Sequence, residues 1–368
     1  HIREMGYRAD EGFLTGDLSI RATHLFDGKT VVDMAYQKAP VPIVWAVSSD
    51  GRLLGMTYTP EEGVGGWHQH VSTDGVFESV CVVSDGGVDD SVYAVVKRTI
   101  DGTDYRMIER MTSLIQSDTA SEWRFLDCGL SFDGTVNSSI TVTRATTWAA
   151  GQTVTITGGT IFRLGTSDEG DYVRVSYNGT YYRLRITAVG ALNSATATIL
   201  DAIPIATATT NFVSSLWGWM RSEFTVPEWL EGETVEVFAD GAAVADETVA
   251  DGTITLAAPA MVVHIGYGYS SELQLLPFAA QFEAYAQGRT INVKEATVRY
   301  WKSGAFEVGT ELSDYDMSRI AASVTDEDGI EREHQMPLIA NSATLWVRQR
   351  SPLPLTVVSI TTEATLGS

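Results

Sequence analysis

Short runs of alternating or continuous apolar residues recur along the chain, and most of them end at a turn signal. The runs are rich in Val, Ile, Thr, Tyr and Trp, which suit a pleated strand with one buried face. Nine Asp-Gly pairs, such as Asp50-Gly51 and Asp240-Gly241, stand beside these runs, and Asn178-Gly179 is a related pair. Such pairs tolerate positive φ and match the two-residue turns of antiparallel hairpins. The pattern predicts an all-β protein built from hairpins.

Residues 30–134 repeat one arrangement, in which an apolar strand, an Asp-Gly turn and a second apolar strand follow one another. The predicted strands are Ile43–Val47, Leu53–Tyr58, Val76–Val83, Val92–Lys97 and Tyr105–Glu109. This resembles the blades of a β-propeller or part of one, although the irregular repeat does not predict a closed ring of blades.

Helical signals are few. Residues 17–26 could form one short helix with Asp17 as its N-cap. Phe278, Phe282 and Tyr285 are spaced for one helix face that Gly288 would end, and a packed loop is an equal alternative there.

The segment 135–216 differs in composition from the rest of the chain. It has no Lys, is rich in Thr, and carries five Arg and four acids, for a net charge of +1. Its predicted strands are Ser139–Thr143, Thr153–Thr157, Tyr172–Tyr177, Thr180–Val189 and Ala195–Leu200. We therefore expect a small β-barrel or sandwich inserted into a host domain.

The host resumes at residue 217, where a second β-rich part begins. Its predicted strands are Thr234–Phe238, Thr253–Leu256, Met261–Ile265, Glu295–Trp301, Thr344–Arg348 and Leu355–Thr361. A β-sandwich is the simplest interpretation. The expected domains are thus 1–134, 135–216 and 217–368.

Charge and composition narrow the function. The formal net charge is −22, with 44% hydrophobic and 10% aromatic residues, which excludes a disordered acidic tail. This excess of acids argues against tight nucleic-acid binding and against an acidic membrane surface as a partner. No membrane-spanning helix or signal peptide is predicted. The chain begins His1-Ile2-Arg3 without a Met, so we expect a fragment or processed form of a longer protein.

Two features could hold metal, but both have a simpler interpretation. On a strand, His68 and His70 would share one face, which suits zinc, yet no third ligand is evident and a polar strand face is favoured. Two loops are rich in carboxylates and could hold calcium, although neither matches a complete calcium loop, and solvated turns are favoured. These carboxylates are Asp85, Asp89 and Asp90 in one loop, and Asp326, Glu327, Asp328 and Glu331 in the other.

Other candidate chemistry is also weak. Cys81 and Cys128 lie in apolar runs and are predicted to be small buried thiols, with their pairing left open. Seven Trp residues could bind sugar beside the many acids, but core packing is the expected role of Trp45, Trp67, Trp123, Trp217, Trp219, Trp229 and Trp301. Nucleophile elbows and phosphate loops are missing. We predict no enzyme activity, and no catalytic, cofactor-binding or metal-binding residue is assigned.

Several strings resemble the tail nozzle proteins of tailed bacteriophages, also called tail tubular protein B. The resemblance spans roughly residues 10–134 and 217–362, is collinear, and is carried by non-catalytic motifs. The strings lie at residues 17–58 (DLSIRATHLF to LLGMTY), 66–83 (GWHQHVSTDGVFESVCVV), 229–241 (WLEGETVEVFADG), 251–256, 262–278, 287–303 and 351–360. Segment 135–216 lies outside the resemblance.

The resemblance implies a phage or prophage virion structural protein in the tail, assembled in the host bacterium's cytoplasm. Nozzle proteins form a ring, typically hexameric, through which DNA is ejected without specific binding, and they contact other tail proteins such as the adaptor and fibres. Members are usually longer at the N-terminus. For the insertion we expect peripheral decoration or fibre or receptor contact. The alternative from another class is a secreted or surface module that binds or cleaves glycans.

Overall fold

The computed structural model describes residues 2–8, 12–84, 86–100, 102–115, 117–159, 168–206, 208–276, 291–310, 317–320, 332–340 and 344–366. Nearly all of the regular secondary structure in the described residues is strand, which confirms the all-β prediction. It divides into two compact units, 1–117 and 118–368. The finer domain bounds, with a first break after residue 134, stay a prediction.

The described residues of the N-terminal unit form nine strands and one short helix. The helix, α1, is Thr23–Phe26. The strands are β1 Arg3–Arg8, β2 Gly12–Asp17, β3 Val31–Gln37, β4 Ile43–Ser48, β5 Leu53–Thr59, β6 Val64–His70, β7 Gly75–Ser84, β8 Asp90–Ile100 and β9 Thr103–Arg110. A 3-10 turn, Pro60–Glu62, separates β5 from β6.

These strands form three antiparallel sheets: a hairpin β1-β2, a four-stranded meander β3-β4-β5-β6 and a three-stranded meander β7-β8-β9. A four-stranded meander is the unit of a propeller blade. The two larger sheets share a core that includes Trp45, Leu53, Val80 and Val92. Inside it the Trp45 indole N–H donates to Gln37 Oε1 at 3.0 Å.

The predicted helix over 17–26 is wrong for most of its length. Asp17 ends β2, opposite Arg3, and only Thr23–Phe26 is helical. The Asp17 carboxylate instead accepts the Ser19 backbone N–H and hydroxyl, at 2.9 and 2.6 Å. Asp therefore closes a local turn here, which competes with helix capping. The second helical candidate, 278–288, lies outside the described residues.

The first strands of the second unit lie within the predicted insertion and directly before and after it. The strands are β10 Asp127–Asp133, β11 Thr135–Val136, β12 Ile140–Arg144, β13 Thr153–Thr157, β14 Tyr172–Tyr177, β15 Thr180–Ala191, β16 Ser194–Ile199, β17 Asn211–Ser214 and β18 Trp217–Thr225. Short 3-10 turns occur at Ala120–Glu122 and Glu228–Leu230.

Eight of these strands form a curled sheet in the order β11-β18-β14-β15-β16-β13-β12-β17. The curl returns β17 to the side of β14, where the Ser176 N–H donates to Leu216 O and to Ser214 Oγ. The concave side is filled by its own core, which includes Val142, Leu184, Ala197 and Trp217. At the β14–β15 turn, both residues of Asn178-Gly179 have positive φ, 49° and 78°, as the turn chemistry predicts.

The remainder of the second unit forms three smaller sheets, and one further strand, Thr253–Ala260, joins the curled sheet through β18. The strands are β19 Thr234–Ala239, β20 Ala242–Ala243, β21 Glu247–Thr248, β22 Thr253–Ala260, β23 Val262–Tyr267, β24 Ser271–Gln274, β25 Ile291–Tyr300, β26 Phe306–Gly309, β27 Ser318–Ile320, β28 Arg332–Ala340, β29 Trp346–Gln349 and β30 Val357–Leu366.

One of these sheets places β10 beside β23, which in turn pairs with β19. The other two have the orders β24-β29-β26-β27 and β28-β25-β30. Both contribute to one core, which includes Val298, Phe306 and Val347. Two sheets around a shared core are the arrangement that a β-sandwich requires.

Candidate functional site

The histidine pair lies in an aromatic cluster of the N-terminal unit. Strand β6 places His68 and His70 on one face, with ring centroids 5.1 Å apart, and each ring lies 5.6 Å from the Trp45 ring. Gly55 is required opposite His68, because a Cβ there would lie 2.3 Å from His68 Nε2. Burial lowers the pKa of His68, so the neutral ring is favoured.

Metal ligation finds no support in this cluster. Among the described residues, no group of three or more His, Cys, Asp or Glu side chains is arranged to hold an ion. The geometry of His68 and His70 is that of ring packing against Trp45.

In the first acidic loop, the Asp90 carboxylate forms hydrogen bonds with backbone N–H groups. Asp90 accepts the backbone N–H groups of Lys38 and Ala39, at 2.8 and 3.0 Å. These two hydrogen bonds lower the pKa of the Asp90 carboxyl. Asp89 is half-buried beside it. Asp85 and the whole second loop, residues 326–331, lie outside the described residues.

The two cysteines occupy different environments. Cys128 is buried in β10, as predicted, whereas Cys81 is exposed on β7, and the two cysteines form no disulfide. The prediction was wrong for Cys81 because the run ESVCVV lies on a strand with Val80 facing the core, which turns the neighbouring Cys81 outward.

The seven tryptophans singled out in the sequence do not form an exposed platform. Trp45, Trp123 and Trp217 are buried. The other four, Trp67, Trp219, Trp229 and Trp301, are half-buried. The Trp217 indole N–H donates to Ser138 O at 2.7 Å, which satisfies its polar group inside the curled sheet. Their arrangement is that of core packing, whereas sugar binding requires an open ring face.

A second acidic cluster was not anticipated from the sequence. Burial raises the pKa of the Glu236 carboxyl, and the nearby Asp246 adds to this. Burial also raises the pKa of Tyr269, with Asp127 and Glu236 as charged neighbours. Strand pairing brings Asp127 of β10 and Glu236 of β19 into one sheet, because both strands flank β23. Only a contact map could have found it from sequence.

The chain is closely packed at the two ends of segment 135–216, where the predicted insertion joins the host. The incoming strand β11 pairs with the start of the outgoing strand β18, so that Thr135 lies opposite Gly218 and Val136 opposite Trp217. The Trp219 N–H donates to Gly134 O at 2.9 Å, and the Gly134 N–H donates to Met261 O at 2.8 Å.

Two glycines permit this close crossing. A Cβ on Gly134 would lie 2.1 Å from Trp219 O, and one on Gly218 would lie 2.6 Å from Gly134 O. Both obstacles are backbone atoms, which cannot rotate away as a side chain does. Gly134 was visible in the sequence as part of an Asp-Gly pair, whereas Gly218 carried no signal.

An ion pair adds a third connection between insertion and host. Arg174 of β14 contacts Asp240 of the β19–β20 turn at 3.1 Å. The Asp240 carboxylate also accepts the backbone N–H groups of Met261 and Val262, at 3.1 and 3.0 Å. The insertion is therefore held by strand pairing, by glycine-mediated close contact and by a partly buried charge pair.

Comparison with known proteins gives no assignment. No protein family and no curated protein matches the chain. Among solved structures, an exo-β-1,3-galactanase variant from Phanerochaete chrysosporium with β-1,3-galactotriose is 8% identical, with 89% of this chain and 79% of that chain covered, at a TM-score of 0.17. The same enzyme with galactose is 9% identical over the same shares, also at 0.17. Similarity this low carries no functional conclusion.

No helix in the part of the chain described by the structure is long and apolar enough to cross a membrane.

Proposed function

We propose that the chain is a non-enzymatic structural component of a bacteriophage tail nozzle or tail tube. The observation that carries the proposal is the collinear set of nozzle-like strings on both sides of segment 135–216. The strings fall on host strands such as β4, β19 and β23, whereas the unmatched segment supplies the curled sheet with its own core. A host domain interrupted at one junction is a simple account of this arrangement.

The proposed mechanism is architectural. Rigid β modules assemble around an axis and enclose a conduit for DNA, in contact with other tail proteins such as the adaptor and fibres. The charge distribution supports passage without binding. The net charge of the chain is −22, whereas segment 135–216 has a net charge of +1. The whole negative excess therefore lies in the host. An acidic wall repels phosphates, so DNA would pass along it without being retained.

The decisive experiment is negative-stain electron microscopy of the full-length protein. Closed rings near six-fold symmetry are the expected result. A monodisperse monomer that binds polysaccharide would instead support the glycan-directed alternative and overturn the nozzle proposal. Titration with polysaccharide in the same samples separates the two outcomes.

DNA ejection from assembled particles tests the charge argument. Neutralising exposed host acids in blocks, beginning with Glu228→Gln and Asp246→Asn, should slow ejection when a block faces the conduit. Unchanged ejection for every block would contradict the repulsive wall, while leaving ring formation as a separate question.

A further inference from the structure

The β1–β2 hairpin carries an exposed apolar face. Met5, Tyr7 and Phe13 are 73%, 67% and 71% exposed. Tyr7 lies directly opposite Phe13 in the register, with the ring centroids 5.3 Å apart in an edge-to-face contact. Single exposed apolar residues are ordinary, but an aromatic pair beside a methionine on a two-stranded hairpin is a contiguous apolar patch. We call these three residues the hairpin patch.

A second apolar patch lies on β3, an edge strand of the four-stranded sheet. Val32, Met34 and Tyr36 are 59%, 48% and 54% exposed, and they form the stripe patch. Met34 lies opposite Ala46, which is buried beneath Leu25 and Phe26 of α1. The α1 cluster thus covers the central part of this sheet face and contacts Val31 of β3, but it leaves the three side chains of the stripe patch exposed.

The hairpin is held away from the stripe of its own chain. Its base is fixed near β5 and β6, since Tyr58 donates to the Glu4 carboxylate and the Trp67 indole N–H donates to Leu18 O. Strands are about 4.8 Å apart, so β6 lies roughly 14 Å across the sheet from β3. Both patches stay exposed within one chain for this reason.

We infer that the hairpin patch of one copy docks on the stripe patch of a second copy of this chain. The area supports this occupant. The six side chains together expose roughly 800 Å², and an apolar core of that size with a polar rim reaches the ~1,200–2,000 Å² of a specific interface. The patches match in size and chemistry, each with one Met and at least one aromatic ring.

The interface is heterologous, because two different surfaces of the same chain meet. Repetition of such a contact closes a ring or builds a filament. The inference therefore rests on the proposed function for its biological meaning, since it names the surfaces that would join neighbouring subunits of the nozzle. The contact itself is a property of this chain and is testable without a virion.

Sedimentation of the 368-residue chain over a concentration series is the first test. Phe13→Asp and Met34→Asp should each weaken self-association at least ~10-fold, because a charge would be buried at the centre of the contact. Ile108→Asp is the matched control, since Ile108 is 79% exposed on β9 and belongs to neither patch. Equal thermal unfolding of the three variants shows that folding is intact.

Crosslinking identifies the surfaces that meet. In a Cys81→Ser background, which removes the exposed thiol, chains with Tyr7→Cys are mixed with chains with Met34→Cys and oxidised. A disulfide between the two kinds of chain is expected in the mixture, and little should form in either chain alone. A disulfide formed equally well between two Tyr7→Cys chains would overturn the heterologous geometry.

The two proposals fail separately. Rings that persist with Phe13→Asp or Met34→Asp would overturn the interface and leave the nozzle proposal standing. A heterologous crosslink in a protein whose full-length form makes no ring would support the interface and count against the nozzle. A wild-type chain that stays monomeric throughout would mean that the hairpin serves a different partner, and the interface inference would be wrong.

Discussion

The insertion and the N-terminal unit use the same strands and turns, yet they differ in where their apolar side chains go. In β13 and β16 the alternation is regular, with Val154, Ile156, Ala195 and Ala197 buried and threonines on the outer side. In β3 the alternation exposes Val32, Met34 and Tyr36.

The difference follows from sheet closure. The curled sheet encloses one continuous core, and segment 135–216 contributes all of its buried residues except Trp217. The N-terminal sheets are open, and their buried residues fall into two smaller clusters. An open sheet needs a covering layer, and the part that α1 leaves uncovered is available to another molecule. The comparison shows that the curled sheet buries its apolar side chains in one core, whereas the N-terminal unit keeps apolar side chains of β3 exposed.

The largest loss of stability should come from replacing Trp217, which follows segment 135–216 and packs in the core of the curled sheet. Trp217→Ala should cost about 4 kcal/mol in unfolding free energy, since a fully buried indole and its hydrogen bond to Ser138 are lost. Phe13→Ala, in the exposed hairpin, should change the unfolding free energy of the isolated chain by less than about 0.5 kcal/mol. Urea unfolding measures both, and comparable losses would remove the contrast between the two regions.

A deletion of the insertion must also take account of Trp217. Removal of residues 136–215 alone would expose Trp217, whose ring packs in the curled sheet. Combining the deletion with Trp217→Thr should leave a folded host that still assembles. A host that fails to fold or assemble with both changes would show that the insertion is not peripheral.

The junction should be nearly as sensitive. Gly134→Ala should destabilise the chain by about 2–3 kcal/mol, because the added Cβ meets the Trp219 carbonyl at 2.1 Å and the backbone must shift. Gly190→Ala in β15 is the control, since nothing lies within 4 Å of a Cβ there. It should be neutral or slightly stabilising. Thermal unfolding that shifts equally for both variants would contradict the close crossing.

The charge pair at the junction should matter more than an exposed pair. Asp240→Ala should cost about 2 kcal/mol, because the Met261 and Val262 N–H groups and Arg174 all lose an acceptor. Asp201→Ala removes a more exposed pair with Arg183 and should cost about 0.5–1 kcal/mol. Chemical unfolding compares them, and equal costs would mean that Asp240 does not anchor the insertion.

The smallest effect concerns acid sensitivity of the N-terminal unit. Burial lowers the pKa of His68, so the folded state binds its proton less readily than the unfolded state. Its contribution to stability is therefore complete above the ordinary value near 6.5 and is lost as pH falls from there towards the folded pKa. His68→Gln should flatten the loss of stability between about pH 7 and 5.

His24→Gln, on the exposed side of α1, is the control for that measurement. Unfolding by urea at several pH values gives the slope for each variant. An unchanged slope in His68→Gln would place the acid response elsewhere, for example at His264, whose pKa is also lowered mainly by burial.

Local sequence was sufficient for most strands of this protein. Runs such as Thr153–Thr157 and Tyr172–Tyr177 coincide with β13 and β14, because period-two alternation and β-branched residues are local signals. The positive φ values at Asn178-Gly179 and Asp240-Gly241 likewise follow from the residues themselves. The compositional change near residue 135 also marked the place where the chain enters the curled sheet.

The tertiary structure decided which side chains are buried and which are exposed. Asp17 became the end of a strand through pairing with Arg3, and Cys81 became exposed through the facing of β7. Gly134 and Gly218 meet across more than 80 residues of chain, and the stripe patch on β3 is exposed because the α1 cluster covers other residues of that sheet face. Local patterns fix backbone geometry and alternation, whereas burial depends on the distant segments that pack on each face.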